Sequence, residues 1–333
     1  MPTETPDPRS AVEAPLESDL PICDAHHHLW ERPPKVYLLD ELREDLGSGH
    51  NVLSTVAVEC GYRYRDEGPE ELKAVGEVEF LEDAANRAAA DAAIRTRVAS
   101  AIVGFADLAL GDAVAPVLEA HVAASPQRFR GIRHSTTWDA SGALRNEAGP
   151  SLMGDREFRR GFARLQKLGL SFDAWVYHPQ LNEVAELARA FPDVTIVLNH
   201  IGAPLGVGPY AGKKSEVFQA WSRGIAAVAA CSNVAVKLGG FGSARSGHDW
   251  HERAIQPSSE ELSAILKPYF EWCIAKFGPQ RCMFESNFPV EKRANSYGAI
   301  WNAFKKLTQN YAAAERAALF HDTAHRIYRL APR

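Results

Sequence analysis

Two histidines set two residues apart, His26 and His28 in the run Cys23-Asp24-Ala25-His26-His27-His28-Leu29-Trp30, offer this chain its clearest chemistry. The run reads as a strand, in which alternate side chains share a face about 7 Å apart, so both imidazoles can converge on one divalent cation if the strand bends. Imidazole suits zinc, iron or manganese. The same alternation turns His27 away and sets Asp24 on the ligand face one step deeper, where a carboxylate can orient a ligand histidine. An H-x-H pair is structural about as often as it is functional, so the elements around it must decide.

Those elements are short β-rich runs separated by helical patterns. Eight runs read as strands: Ile22–His28, Val52–Glu59, Ala101–Phe105, Phe129–His134, Ser171–His178, Thr195–His200, Val234–Leu238 and Cys282–Phe288. Between them lie segments such as Val78–Ala93, with Phe80, Leu81, Ala84, Ala85 and Ala88 on one side at helical spacing. Eight such alternations predict a parallel sheet closed into a (β/α)8 TIM barrel. No G-x-G-x-x-G follows the first strand, which leaves a nucleotide-binding open sheet without support.

On that frame the ionisable residues fall at the C-terminal strand ends: His26 and His28, Glu59, His134, His178, His200, Lys237, then Glu285 with Asn287. Active sites of such barrels form at that end, and histidines on four strand ends predict one shared site. At the fourth strand the expectation is that His134 points inward and Arg133 outward. Trp30, Trp138, Trp175 and Tyr177 are placed either to wall an apolar pocket or to pack in the core. His248 and His251 read as part of a solvated loop after the seventh strand.

The 333 residues are 46% hydrophobic and 24% charged, with 37 Lys+Arg against 42 Asp+Glu and a net charge of −5, so a polycationic surface for nucleic acid is not expected. No apolar run is long enough to span a bilayer, and the N-terminus lacks the basic start and apolar core of a signal peptide. Five scattered cysteines without a C-x-x-C pair read as buried thiols in a reducing compartment, and the cytoplasm is the expected location. Residues 1–20, rich in proline and acid, are expected to form a disordered or extended tail before a single barrel domain over 21–333. A small-molecule substrate is the expected partner, and an oligomer is compatible with the sequence.

The frames D-A-H-H-H-L-W (24–30), F-R-G-I-R-H (129–134), F-D-A-W-V-Y-H-P-Q (172–180), V-L-N-H-I-G-A-P (197–204), V-K-L-G-G (236–240) and M-F-E-S-N-F-P-V (283–290) resemble the amidohydrolase superfamily, in the branch of L-fuconolactonase-like and muconolactone-type hydrolases. The resemblance covers about residues 21–330. It implies a distorted (β/α)8 barrel, often with one divalent metal, usually zinc, although some similar lactonases work without one. Carried over residue by residue, it implies His26, His28 and His178 as metal ligands and His200 as a group that ligates or polarises the substrate. Arg133 and His134 are the substrate contacts that the resemblance implies, and Trp30 and Trp175 are candidates to wall the substrate pocket. The similar lactonases carry G-S-D-W-P at strand 8, whereas this chain has Glu285-Ser286-Asn287-Phe288-Pro289. Asn287 has no basic oxygen to take a proton, and Glu285, two residues earlier, is expected on the same face one layer deeper. Glu285 is then either the working base or ligand, or a structural acid paired with Arg or His. The implied activity is metal-assisted opening of a lactone of a small polar carboxylated molecule. Non-oxidative decarboxylation and a lactone isomerase or catalytically altered barrel are the competing readings.

Overall fold

The structure, a computed structural model, describes residues 13–331. Eight strands run parallel in chain order: β1 (Ile22–His27), β2 (Val52–Val58), β3 (Arg97–Gly104), β4 (Phe129–Ile132), β5 (Ser171–Ala174), β6 (Ile196–Leu198), β7 (Val234–Leu238) and β8 (Cys282–Phe284). The circle closes just beyond β8, where His27 bridges Phe288, His28 N donates to Phe288 O at 2.8 Å and Asn287 N donates to His26 O at 2.9 Å. This is the expected TIM barrel, with its seam at the H-x-H motif.

Helices cover the outside; one follows each strand, and the last of them, Tyr297–Leu307, leads into the C-terminal segment. The helix Arg156–Leu168 shows how locally the sequence dictates this: Asp155 caps its start by accepting from Glu157 N and Phe158 N, and Gly169 ends it at φ 62°. Phe158, Phe162 and Leu165 form its buried face and pack on Phe172 of β5. The apolar interior of the barrel is smaller, built from Cys23, Ala25, Val56, Val58, Ala101, Val103, Val197, Ala235 and Met283. Ala324, Tyr328 and Leu330 of the C-terminal segment join that cluster and plug the end opposite the strand C-termini.

Residues 13–20 of the expected tail are tied down, while 1–12 lie outside the described residues. Glu13 accepts from Ser259 N, Leu16 N donates to Asn302 at 2.8 Å, Lys305 Nζ reaches the carbonyls of Leu16 and Glu17, and Glu17 pairs with Arg316. Composition alone missed this because the anchoring groups are the acids and backbone carbonyls that made the segment look solvated.

Candidate active site

The inward positions follow from each strand's alternation. Asp173 on β5, Lys237 on β7 and Glu285 just past β8 point into the barrel and are fully buried. Lys237 Nζ and Asp173 Oδ2 lie 2.7 Å apart, and Asp173 also accepts from Tyr328 Oη at 3.0 Å and Asn199 Nδ2 at 3.0 Å. Such a desolvated pair persists only when its remaining valences are also met.

Above it sit the histidines. Register slips between Asp24 and His27, three residues on β1 matching two on β2, mark a β-bulge. Cys23 and Ala25 line the barrel interior, and within the bulge His26 turns inward as well. Asp24 therefore does not share the histidine face as flat alternation predicted. Its carboxylate accepts from Ser286 N (2.8 Å), Ser286 Oγ (2.6 Å) and Tyr297 Oη (2.9 Å), fixing the turn after β8 and contacting His26 only at its backbone N–H. His27 faces away onto Thr55 Oγ1 at 2.8 Å, as expected.

His26 Nε2 lies 3.2 Å from His28 Nε2 and 3.3 Å from Arg133 Nη1, while its Nδ1 lies 3.0 Å from Glu285 Oε2 and 3.2 Å from Lys237 Nζ. His28 Nδ1 bonds Val58 O at 2.8 Å; a carbonyl only accepts, so that nitrogen carries the proton and Nε2 presents its lone pair to His26. His200 Nδ1 meets Glu285 Oε1 at 2.7 Å, its backbone N–H donates to the same oxygen at 3.2 Å, and its Nε2 makes no hydrogen bond among the described residues. Burial first, then neighbouring cations, push His26 and His200 well below the usual imidazole range. Burial pushes Glu285 up to about 8, against the pull of Lys237.

Two glycines make room for this arrangement. A Cβ on Gly239 would press into Glu285, and one on Gly240, at φ 66°, into the His200 ring. The turn after β6 is itself in the left-handed region, at His200 (φ 53°), Ile201 (φ 50°) and Ala203 (φ 40°), conformations rare for L-residues and rarer still for a β-branched one.

Several expected positions are displaced. On β4, Ile132 packs in the outer core, so the next residue turns inward, and that residue is Arg133. Arg133 Nε donates to Glu59 Oε1 at 2.6 Å, whereas His134 turns out to Leu108 N and the rings of Phe105 and Phe158. The expectation that His134 points in was off by one residue. β5 ends at Ala174, so His178 is not a strand residue; it opens the turn beyond, accepts from Leu205 N and packs edge-on against Tyr210. Asn287, at φ 55°, lies past the end of β8 where alternation fails, and its Nδ2 goes to Glu291 Oε1 at 3.3 Å instead of sharing a face with Glu285. Trp30 stacks on His28, with ring centres 5.6 Å apart, and Trp175 packs edge-on against His200 at 4.8 Å. Asp173 went unremarked in the sequence, although an acid among apolar residues in a strand signals an inward, paired carboxylate.

Among the described residues, one group of three gathers ligand atoms within 4.8 Å of one another: His26, His200 and Glu285. It shares only His26 with the ligands that the resemblance implied. Imidazole nitrogens with a carboxylate oxygen are a zinc-type donor set, and Glu285 Oε2 is a buried oxygen without a hydrogen bond of its own, so these residues fit a divalent metal.

The sequence matches the amidohydrolase profile Amidohydro_2 over residues 23–330. The chain belongs to the amidohydrolase family. This amidohydrolase is 34% identical to the uncharacterized protein y4mH of Sinorhizobium fredii, over 94% of this chain and 100% of that one. It is 27% identical to an L-fucono-1,5-lactonase of Burkholderia ambifaria, over 92% of this chain and 95% of the relative. A Burkholderia multivorans amidohydrolase crystallised with bound zinc superposes with a TM-score of 0.72 at 26% identity, covering 93% of this chain and 99% of that one. No helix among the described residues is long and apolar enough to cross a membrane.

Proposed function

We propose that this amidohydrolase opens a lactone, or a related cyclic ester, of a small polar molecule. The observation that carries the reading is the His200–Glu285 pair, in which a buried carboxylate holds one imidazole nitrogen and the other is left without a protein partner. Relatives named L-fucono-1,5-lactonase support the ester chemistry.

The pair has two working states. With Glu285 protonated, its hydroxyl donates to His200 Nδ1, and Nε2 carries a proton able to polarise a carbonyl oxygen. With Glu285 ionised, it accepts from Nδ1–H and Nε2 becomes a base. In that form His200 takes a proton from a water as the water oxygen bonds to the lactone carbonyl carbon, and Glu285 stabilises the imidazolium. Collapse breaks the ring C–O bond, His200 returns the proton to the departing ring oxygen, and the product is a hydroxy acid. Burial keeps His26 neutral, helped by Lys237 and Arg133, which are held beside it by Asp173 and Glu59. His26, His200 and Glu285 are the residues that would hold a divalent metal, which when bound polarises an ester carbonyl and acidifies water. Metal binding and base function compete for the same His200 lone pairs.

The test is a pH-stat assay of simple aldono- and carboxylactones with parallel zinc analysis. Proton release that tracks substrate loss supports hydrolysis. Release of CO2 from an aromatic acid without proton release would replace this reading with decarboxylation.

A further inference from the structure

One buried acid takes no part in the chemistry above. Glu291, in the turn after β8, is 2% exposed, and its carboxylate sits between two segments of chain. Its Oε2 accepts from Gly242 N of the loop after β7, and its Oε1 accepts from Asn287 Nδ2 at 3.3 Å. The aim of the side chain is fixed by its own turn, in which Glu291 N donates to Asn287 O at 3.2 Å and Glu291 O accepts from Ala294 N and Asn295 N at 2.8 and 3.0 Å. Burial pushes the carboxyl up to about 7, against the pull of Arg245, which lies on the same loop after β7 and donates from Nη2 to Gly240 O at 2.8 Å.

The loop that Glu291 holds is the one that bounds the reactive pair. Gly239 and Gly240 lie so close to that pair that a Cβ would press into Glu285 and the His200 ring, and a Cβ on Gly242 would press into the Glu291 carboxylate. Residues 239–242 are thus layered between the His200–Glu285 pair on one side and Glu291 on the other. Three of these four residues are glycines, with wide backbone freedom and no side chain to fix them, so the hydrogen bond at Gly242 N sets the position of the layer. The same carboxylate accounts for the amide at 287. A carboxylate accepts and cannot donate, whereas an amide nitrogen donates. The aspartate that similar lactonases carry at this place would set two acceptors of like charge against each other in a buried turn, and Asn287 completes the contact instead.

We propose that Glu291 is a positioning residue: its carboxylate clasps the loop after β7 to the turn after β8, keeps the His200 ring seated against Glu285, and requires an amide at 287. This deepens the reading above and rests on the His200–Glu285 pair being the reactive one.

The experiment reads the His200 ring directly, by nitrogen NMR of the full chain labelled at histidine, at one pH and without metal. Glu291→Met keeps the bulk and removes both acceptors, and should move the His200 ring signals. Glu291→Gln removes the same charge but can still accept from Gly242 N and donate to a turned Asn287 amide, and should leave them close to wild type. Asn287→Asp should move them, and Asn287→Asp with Glu291→Gln, which restores donor against acceptor, should bring them back. On any lactone that is opened, kcat should fall by roughly 10- to 100-fold in the two disruptive variants, with KM little changed, and recover in the double variant. Should both disruptive variants fail to fold, the double variant decides, because a clasp predicts that it folds with the wild-type His200 signals. Signals unmoved in Glu291→Met, equal shifts in the Met and Gln variants, or a double variant no better than Asn287→Asp would overturn the proposal. Shifts that follow this pattern without turnover of any lactone sink only the lactonase reading, and turnover with an unmoved His200 sinks only the role of Glu291.

Discussion

Replacing Glu285 by glutamine separates a working acid from a structural one, because the two roles move activity and stability in opposite directions. The side chain is fully buried, holds His200 at 2.7 Å, and titrates near 8 when metal-free against 4.5 in an unfolded chain. A carboxyl whose pKa is raised on folding contributes its full stability below the unfolded value, and that stability is lost as pH rises towards the folded value. At pH 7 the loss is about 3 kcal/mol, from 1.36 kcal/mol per unit over the interval already crossed. Glutamine needs no ionisation and keeps the volume, so in chelator-treated protein Glu285→Gln should match the wild type in urea below about pH 4 and exceed it by about that amount at pH 7. Turnover should behave in the reverse sense. Wild-type kcat/KM should rise with pH until Glu285 ionises near 8, and the variant should lose this limb together with about 10²-fold or more of kcat. Urea melts and pH–rate profiles on the same preparations provide both readouts. A kcat near wild type with lowered stability would refute the reasoning and make Glu285 a structural acid.

Three other outcomes follow from the same geometry. His26→Ala and His200→Ala should each abolish stoichiometric zinc measured by mass spectrometry, while His178→Ala, whose ring lies against Tyr210, should retain it; loss of zinc in His178→Ala would restore the ligand set implied by the resemblance. Gly240→Ala should displace the His200 ring and lower kcat by about 10²-fold, the scale of a 1 Å misplacement, with the crystal structure of the variant as the check. Remote from the site, His121 is buried against Phe129 with Nε2 on Phe105 O, and burial lowers it to about 4. Because the unfolded chain binds that proton first, His121 alone removes about 3 kcal/mol of stability as pH falls from 6.5 through 4, and His121→Phe should flatten the dependence by one proton.

The barrel was legible because its signal is repeated: eight strand–helix alternations leave little freedom once each strand is short and buried. Which residues face the site depends on single-residue phase, and there the sequence reading slipped wherever a strand was irregular or had already ended. At β4 the phase was set by Ile132, a buried residue of the outer core, so that Arg133 and not His134 entered the barrel. At β1 the bulge separates Asp24 from the histidines that flat alternation had placed beside it. At β5 and β8 the strands stop early, and His178 and Asn287 are set by turn geometry, which residue spacing does not encode.

The irregularities are concentrated where the chemistry is. A bulge in β1, left-handed residues after β6 and β8, and two glycines after β7 are each unfavourable as local structure, and all of them bear on His26, His200 or Glu285. A regular barrel would stack these side chains in layers, each filled by its own row. Here the departures bring one carboxylate between two imidazoles, at 2.7 and 3.0 Å, over a buried Lys237–Asp173 pair. Residue identity supplied the donors, and the broken alternation made them converge. The carboxylate that strand 8 carries at Glu285 is therefore connected to the histidines by the same backbone departures that displaced Asn287 towards Glu291.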